Sequence, residues 1–387
     1  MAELIKLGTI LHMEKGKRPI AQAKDPLEGY LPYVDIKAFE QGIVDNYASA
    51  NKSLLCEDGD LLIVCDGSRS GLTGYAIKGV VGSTLSKISA DGLNTKYLRY
   101  FIQSKYSLLN TRKKGTGTPH LDANILKEST IAVPSPLEQE RIISRIEELF
   151  SQLDASVAEL KTAKERLKVY RQAVLKEAFE GDYPQVQLKE ISTAISGYAF
   201  KSKLYTSDGK YIVVKIGNIK ERHFEFSRDL TRTNEADETI LDKYLLQRGD
   251  CLITLTGSRG KRDYGFVTMI KDQTNYLLNQ RVAAIRFNRK EAIPEFFQYY
   301  LASPSYRSAF FRYETGNVGQ GNVGIKALTE PIVILPDIEQ QWRIVEEIES
   351  RLSVCDSIEK TVDTALQQAD ALRQSILKKA FEGRIVK

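Results

Sequence analysis

The apolar positions of this chain follow two alternating patterns. Over residues 1–133 and again over 182–335 they come in short runs broken by Gly, Asn and Asp, as at 30–34, 61–64, 211–214, 252–255 and 282–285. Runs of that length between turn residues predict strands. Residues 98–102 and 295–300 read as short helices, so each region is α+β. The second pattern is helical. Ile142, Ile146, Leu149, Leu153, Ser156, Leu160, Ala163, Leu167, Tyr170 and Val174 follow one another at steps of four and three, a heptad seam. Ile344, Ile348, Arg351, Cys355, Ile358, Val362, Ala365, Ala369, Leu372 and Ile376 continue that pattern near the other end of the chain, with Arg351 interrupting it.

The two helical stretches are copies of one another. The segment 171–181, RQAVLKEAFEG, recurs 202 residues later as RQSILKKAFEG at 373–383, identical at eight of eleven positions. The same offset, without a gap, aligns Pro134 with Pro336, Arg141 with Arg343 and Asp154 with Asp356. Upstream the repeat is weaker. Residues 59–69, GDLLIVCDGSR, resemble 249–259, GDCLITLTGSR, at an offset of 190. The chain therefore reads as domain 1–133, helix 134–181, domain 182–335, and helix with tail 336–387. Pro134 and Pro336 punctuate the boundaries, and Gly181 and Gly383 suit helix C-caps.

A helix over 137–180 would reach roughly 65 Å at 1.5 Å per residue, too long to bury its stripe alone. It could pack on the domain before it. Equal length and gapless register argue instead that the two copies pair, antiparallel, about an approximate two-fold axis. The pairing residues are then Ile142, Ile146, Leu149, Leu153, Leu160, Leu167 and Val174 on one helix. On the other they are Ile344, Ile348, Ile358, Val362, Leu372 and Ile376.

Polar chemistry gathers in the loops of both domains. Ser68 and Arg69 sit in a Gly-rich loop that matches the one carrying Ser258, Arg259, Lys261, Arg262 and Tyr264. A later pair of loops carries Arg112, Lys113, Lys114, Thr118 and His120 in the first domain, and Gln320 and Asn322 in the second. Glycine lets backbone approach a partner, and these side chains supply donors for phosphates and base edges. Taken singly each residue could be a solvated turn; matching loops at matching places make them a candidate DNA-binding set. The formal net charge of +5 permits that partner without demanding it.

Other chemistries lack their residues. Gly257-Ser-Arg-Gly-Lys261 fails as a phosphate loop, because Arg follows the Lys. The three histidines are scattered and the four cysteines form no CxxC pair, so no catalytic or metal site is predicted. Isolated buried thiols are the expectation. The N-terminus lacks the order of a signal peptide and no run of apolar residues is long enough to span a membrane, which predicts a cytoplasmic protein.

This layout resembles the specificity subunits of Type I restriction–modification systems over almost the whole chain. The marks are Leu137-Glu-Gln-Glu-Arg-Ile-Ile143 and Ile338-Glu-Gln-Gln-Trp-Arg-Ile-Val345, together with the two LKxAFEG helix ends. The loop ending at His120 carries Thr118-Pro-His where the family more often has a Gln/Asn pair. The resemblance implies two target-recognition domains, each reading half of a split site in double-stranded DNA, on a spacer of two antiparallel helices. It implies docking of two methyltransferase subunits, joined by endonuclease–translocase subunits. S-adenosylmethionine, ATP and magnesium would belong to those partners, leaving this chain non-catalytic. The alternative is a protein-assembly scaffold with two β-rich binding modules.

Overall fold

A computed structural model describes residues 3–112, 119–226, 230–234, 236–272, 275–317 and 319–385. Lys113, Lys114 and Thr118 of the predicted loops lie outside the described residues. The chain divides into two compact units, and each takes a piece of both long helices: residues 1–161 with 363–387, and residues 162–362.

In the first unit the strand Glu3–Lys6 pairs antiparallel with Thr130–Val133, joining the domain's beginning to its end. A four-stranded antiparallel sheet runs Leu11–Lys15, Leu85–Ala90, Leu61–Val64, Thr73–Tyr75. A five-stranded sheet contains one parallel pair, Tyr30–Val34 beside Gly79–Val81. The second unit repeats this plan. Gln185–Gln187 pairs with Ile332–Ile334. The four-stranded sheet is Ser192–Ser196, Val282–Phe287, Cys251–Thr254, Val267–Met269. The parallel pair is Tyr211–Val214 beside Tyr276–Leu278.

The matching Gly-Asp pairs build the same turn twice. Gly59 and Gly249 hold φ of +86° and +91°, a region that favours glycine. The carboxylates of Asp60 and Asp250 accept the amides of Glu57 and Gln247, each at 2.8 Å. Each also pairs with a cation on the next strand, Lys87 and Arg286.

The long helices are Pro136–Ala178 and Ile338–Phe381. Both start with reciprocal capping. Ser135 and Glu138 exchange hydrogen bonds, as do Asp337 and Gln340. One turn in, Gln139 and Gln341 are buried. Gln139 donates to the carbonyls of Gly92 and Pro134 and accepts from the amide of Asn94. Gln341 donates to Glu291 and Pro336 and accepts from Ile293. Each glutamine thus ties a helix start to the loop that opens the helix Thr95–Ser104 or Pro294–Ala302. Gln139→Ala and Gln341→Ala should each destabilise by about 1–3 kcal/mol, the cost of stranding buried polar groups. Urea unfolding checks this, with Glu140→Ala on the exposed face expected to shift stability by less than about 0.5 kcal/mol.

Beyond the caps the helices pair antiparallel, start against end. In the first unit Ile143, Ile146 and Phe150 share a core with Ile376, Leu377 and Ala380. In the second, Val174, Leu175 and Phe179 share a core with Ile344, Val345, Ile348 and Leu352. Ile143, Ile146, Phe150, Ile376 and Leu377 correspond at the offset of 202 to Val345, Ile348, Leu352, Val174 and Leu175. Each helix start packs on the domain before it as well, so both modes of burial hold together.

The seam itself differs from the predicted one at four places. Ser156, Tyr170, Ile358 and Leu372 are exposed, and the neighbours Val157, Arg171, Glu359 and Arg373 turn inward instead. Ile358 and Leu372 are therefore not pairing residues. At 171, 359 and 373 the physical reason is the arginines. Their aliphatic stems line the seam while the guanidinium reaches across it. Arg171 binds Asp356 at 2.5 Å and Glu359 at 2.7 Å in the second unit, and Arg373 binds Asp154 in the first. Arg171–Asp356 and Arg373–Asp154 are the same pair made twice by the repeat. Arg351, the predicted interruption, sits beside the seam, pairing with Glu177 and Glu347 while Leu352 is buried.

Gly383 does cap its helix in the left-handed region, at φ +72°, with Arg384 donating back to Lys379. Gly181 serves another purpose: a Cβ there would collide with the ring of Tyr183 at 2.5 Å. The four cysteines are free and buried. Burial pushes the thiol of Cys56 up to about 11 and raises those of Cys65 and Cys251, which leaves them unreactive.

Candidate nucleic-acid interface

In each domain the fold brings the two predicted loops together. The first follows a core strand, Leu61–Val64 or Cys251–Thr254; the second returns toward the long helix. In the first domain Leu121 donates to the carbonyl of Cys65 at 2.7 Å and Gly67 to that of Pro119 at 2.8 Å. In the second, Val323 donates to the carbonyl of Leu255 at 2.8 Å, and Thr256–Ser258 pairs antiparallel with Gln320–Val323. The side chains meet at the same point. His120 Nδ1 lies 2.7 Å from Asp66 Oδ1, and Thr256 Oγ1 donates to Asn322 Oδ1 at 2.8 Å.

Of the predicted residues, Ser68, Arg69, Arg112 and His120 are exposed on the first domain. Arg259, Lys261, Arg262, Gln320 and Asn322 are exposed on the second, and Ser258 is half-buried. Tyr264 is the exception. It is fully buried, edge-on to Phe311 at 5.1 Å, with its hydroxyl donating to Glu314. It is a core residue and cannot reach a partner. Its place in a polar, Gly-rich stretch hid that, because the ring turns inward under the loop.

Several residues the sequence did not mark hold this surface in place. Asn110 donates to the carbonyls of Ser68 and Ser70. Arg307 donates to those of Gly265 and Tyr264. Asp263 accepts the amide and hydroxyl of Ser258. Phe311 carries the guanidinium of the predicted residue Arg262, 4.8 Å over its ring, with Arg262 at φ +48°. Lys15 binds Asp66 at 2.8 Å. Burial alone would raise the Asp66 carboxyl, but Lys15 and His120 outweigh it and hold it below its ordinary value. Apart from Asp263, five residues from Ser258, none of these partners has a local spacing that announces it. Most lie some 40 or more residues from the groups they bind, and the fold alone brings them together.

Beside each loop pair lies a concavity of mixed polar and apolar lining. The first, about 650 Å³, is lined by Tyr33, Asp35, Lys37, Glu40, Asp66 and Arg69 among others. The second, about 430 Å³, is lined by Lys220, Thr256, Ser258, Asp263, Arg281 and Gln320 among others. The first floor sets three carboxylates beside two cations and the second sets Asp263 beside Lys220 and Arg281, so both offer hydrogen-bond donors and acceptors rather than a uniformly positive surface. Among the described residues no group of three or more His, Cys, Asp or Glu side chains is placed to hold a metal ion, and no helix is long and apolar enough to cross a membrane.

Comparison with known proteins bears on this surface. The sequence profile of the Type I restriction modification DNA specificity domain matches residues 2–165 and again 180–368. The MjaVIII specificity subunit of Methanocaldococcus jannaschii is 26% identical over 407 aligned residues, 99% of this chain and 92% of the relative. The EcoBI specificity subunit of Escherichia coli is 25% identical over 354, covering 84% and 73%. A chain solved in work on complex assembly and conformational transition of the type I R-M system superposes with a TM-score of 0.73 at 19% identity, over 99% of this chain and 98% of that one. The HsdS subunit from Thermoanaerobacter tengcongensis gives 0.55 at 18% identity, over 99% and 97%.

Proposed function

The chain belongs to the Type I restriction modification DNA specificity family, and from that premise we propose that it is the DNA-reading subunit of a restriction–modification complex. Each domain reads one half of a split duplex site through its paired loops. The observation that carries this reading is the repetition of the loop pair. Two domains with little sequence in common fold a Gly-Ser-Arg loop against a later polar loop by equivalent hydrogen bonds, and leave cations outward on both, beside His120 on the first and Gln320 and Asn322 on the second.

The repeated helices dock two methyltransferase subunits, and endonuclease–translocase subunits complete the complex. Those partners carry methylation, ATP hydrolysis and cleavage, with S-adenosylmethionine, ATP and magnesium. This chain supplies recognition alone and works in the cytoplasm. The gapless repeat supports the stoichiometry, since the helix copies offer one partner type two near-equivalent surfaces. Mass measurement of the purified complex should give one such chain to two methyltransferase subunits. A ratio that saturates at one to one would refute it.

A further inference from the structure

The loop arginines at equivalent positions, Arg69 and Arg259, are both held by a glutamate from inside the same domain. Arg69 pairs with Glu40, from the helix Ile36–Gln41. Arg259 pairs with Glu314 at 3.4 Å, from the strand Glu314–Thr315, and also donates to the carbonyl of Gly316. The two glutamates come from unrelated elements, so the repeat did not copy this pairing. Each domain arrives at it separately. In both, the arginine side chain is about half exposed, at 57% and 47%, while its carboxylate is largely buried, at 14% and 9%. The carboxylates have few other partners. Oε1 of Glu40 is buried without a hydrogen bond, and Oε1 of Glu314 takes the Tyr264 hydroxyl. Gly321 keeps that second arrangement open, since a Cβ there would lie 2.7 Å from Glu314 Oε1.

We infer that Glu40 and Glu314 are specificity-determining residues that restrain Arg69 and Arg259 from pairing freely with phosphates. The inference rests on the DNA-reading function proposed above. A guanidinium has five donors and a carboxylate engages one side of the fork, so the remaining donors still face outward. On arbitrary duplex, a phosphate meets a guanidinium whose charge the neighbouring carboxylate already offsets, so the outward donors attract it less than those of a free arginine. The non-specific electrostatic contribution of each arginine is suppressed accordingly. At the right sequence, a base edge can take the outward donors without displacing the glutamate, so binding there loses less. Neutralising the carboxylate should release the arginine to any phosphate and erode discrimination.

The test is anisotropy titration of the full chain across a salt series. The probes are a mixed-sequence duplex and a duplex bearing the site methylated in vivo. Glu40→Gln with Glu314→Gln should bind the mixed duplex several-fold more tightly. Its salt slope should steepen by about 0.9 for each arginine released. The site duplex should gain less, so the ratio of specific to non-specific affinity falls. An unchanged ratio and slope, or a raised ratio, would overturn the inference. Glu40→Asp with Glu314→Asp keeps the charge but withdraws it by a methylene. It must move the ratio the same way by less, and serves if the glutamine variants melt early. Arg69→Ala with Arg259→Ala separates the two failures. If these weaken binding while the glutamate variants change nothing, only the restraint is wrong. If they leave binding to both duplexes intact, the loops are not the interface.

Discussion

Phe179→Ala should destabilise the second unit by about 3–5 kcal/mol, and Phe381→Ala the first unit by an amount toward the lower end of that range. Both phenylalanines come from the repeated LKxAFEG helix ends. Phe179 is buried edge-on between Phe296 and Tyr300, with ring centroids at 5.4 and 5.1 Å. Phe381, half-buried, meets Tyr97 and Phe101 at 5.1 and 5.3 Å. Truncation removes apolar contact and leaves a cavity against rigid rings, and loses the edge-to-face term of about 0.5–1.5 kcal/mol per pair as well. Each ring plugs the domain that its helix end reaches, so the damage should be local. Hydrogen exchange should show Phe179→Ala loosening amides of the Cys251–Thr254 sheet, and Phe381→Ala those of the Leu61–Val64 sheet. Leu372→Ala, on an exposed side chain of the same helix, should be close to neutral.

Arg259→Ala combined with Lys261→Ala should weaken DNA binding by about 10- to 100-fold if one of the two reaches a base edge, worth roughly 1–3 kcal/mol. If both meet phosphates, the loss should be uniform across sequences, and the salt slope should fall by about 0.9 for each lost contact. Both side chains are exposed, so lost binding does not follow from lost packing. The structural consequence is that Glu314 and the carbonyl of Gly316 lose the guanidinium. Thermal melting beside the titration separates that effect, because it acts on the free protein and not on the salt slope. Unchanged affinity and slope on every duplex would remove this loop from the interface.

The repeat was legible because its register is gapless, and the strand runs because turn residues bound them. The helix seam was legible only in part. Steps of three and four in either order fit the same apolar residues, so 156 competed with 157, 170 with 171, 358 with 359 and 372 with 373. Polarity decided wrongly at the last three: counting Arg and Glu as outward hid Arg171 and Arg373, whose stems are half-buried while their charges find Asp356 and Asp154 across the seam. Gln139 and Gln341 were visible as part of a motif. Their reason was not, because Gly92 and Asn94, and Glu291 and Ile293, lie some 50 residues from the glutamines they meet. The candidate site divides in the same way. The loop residues could be named from composition, whereas the Leu121–Cys65 and Val323–Leu255 bonds that join the loops, and the glutamates behind the arginines, exist only in the folded chain.

The central claim is that each domain reads its own half of a split site. Replacing residues 1–133 by the matching domain of another family member, and sequencing the methylome of cells carrying the hybrid system, tests it most directly. One half of the methylated sequence should change while the other half stays as in the parent. Both halves changing together, or neither changing in an active hybrid, would contradict the account.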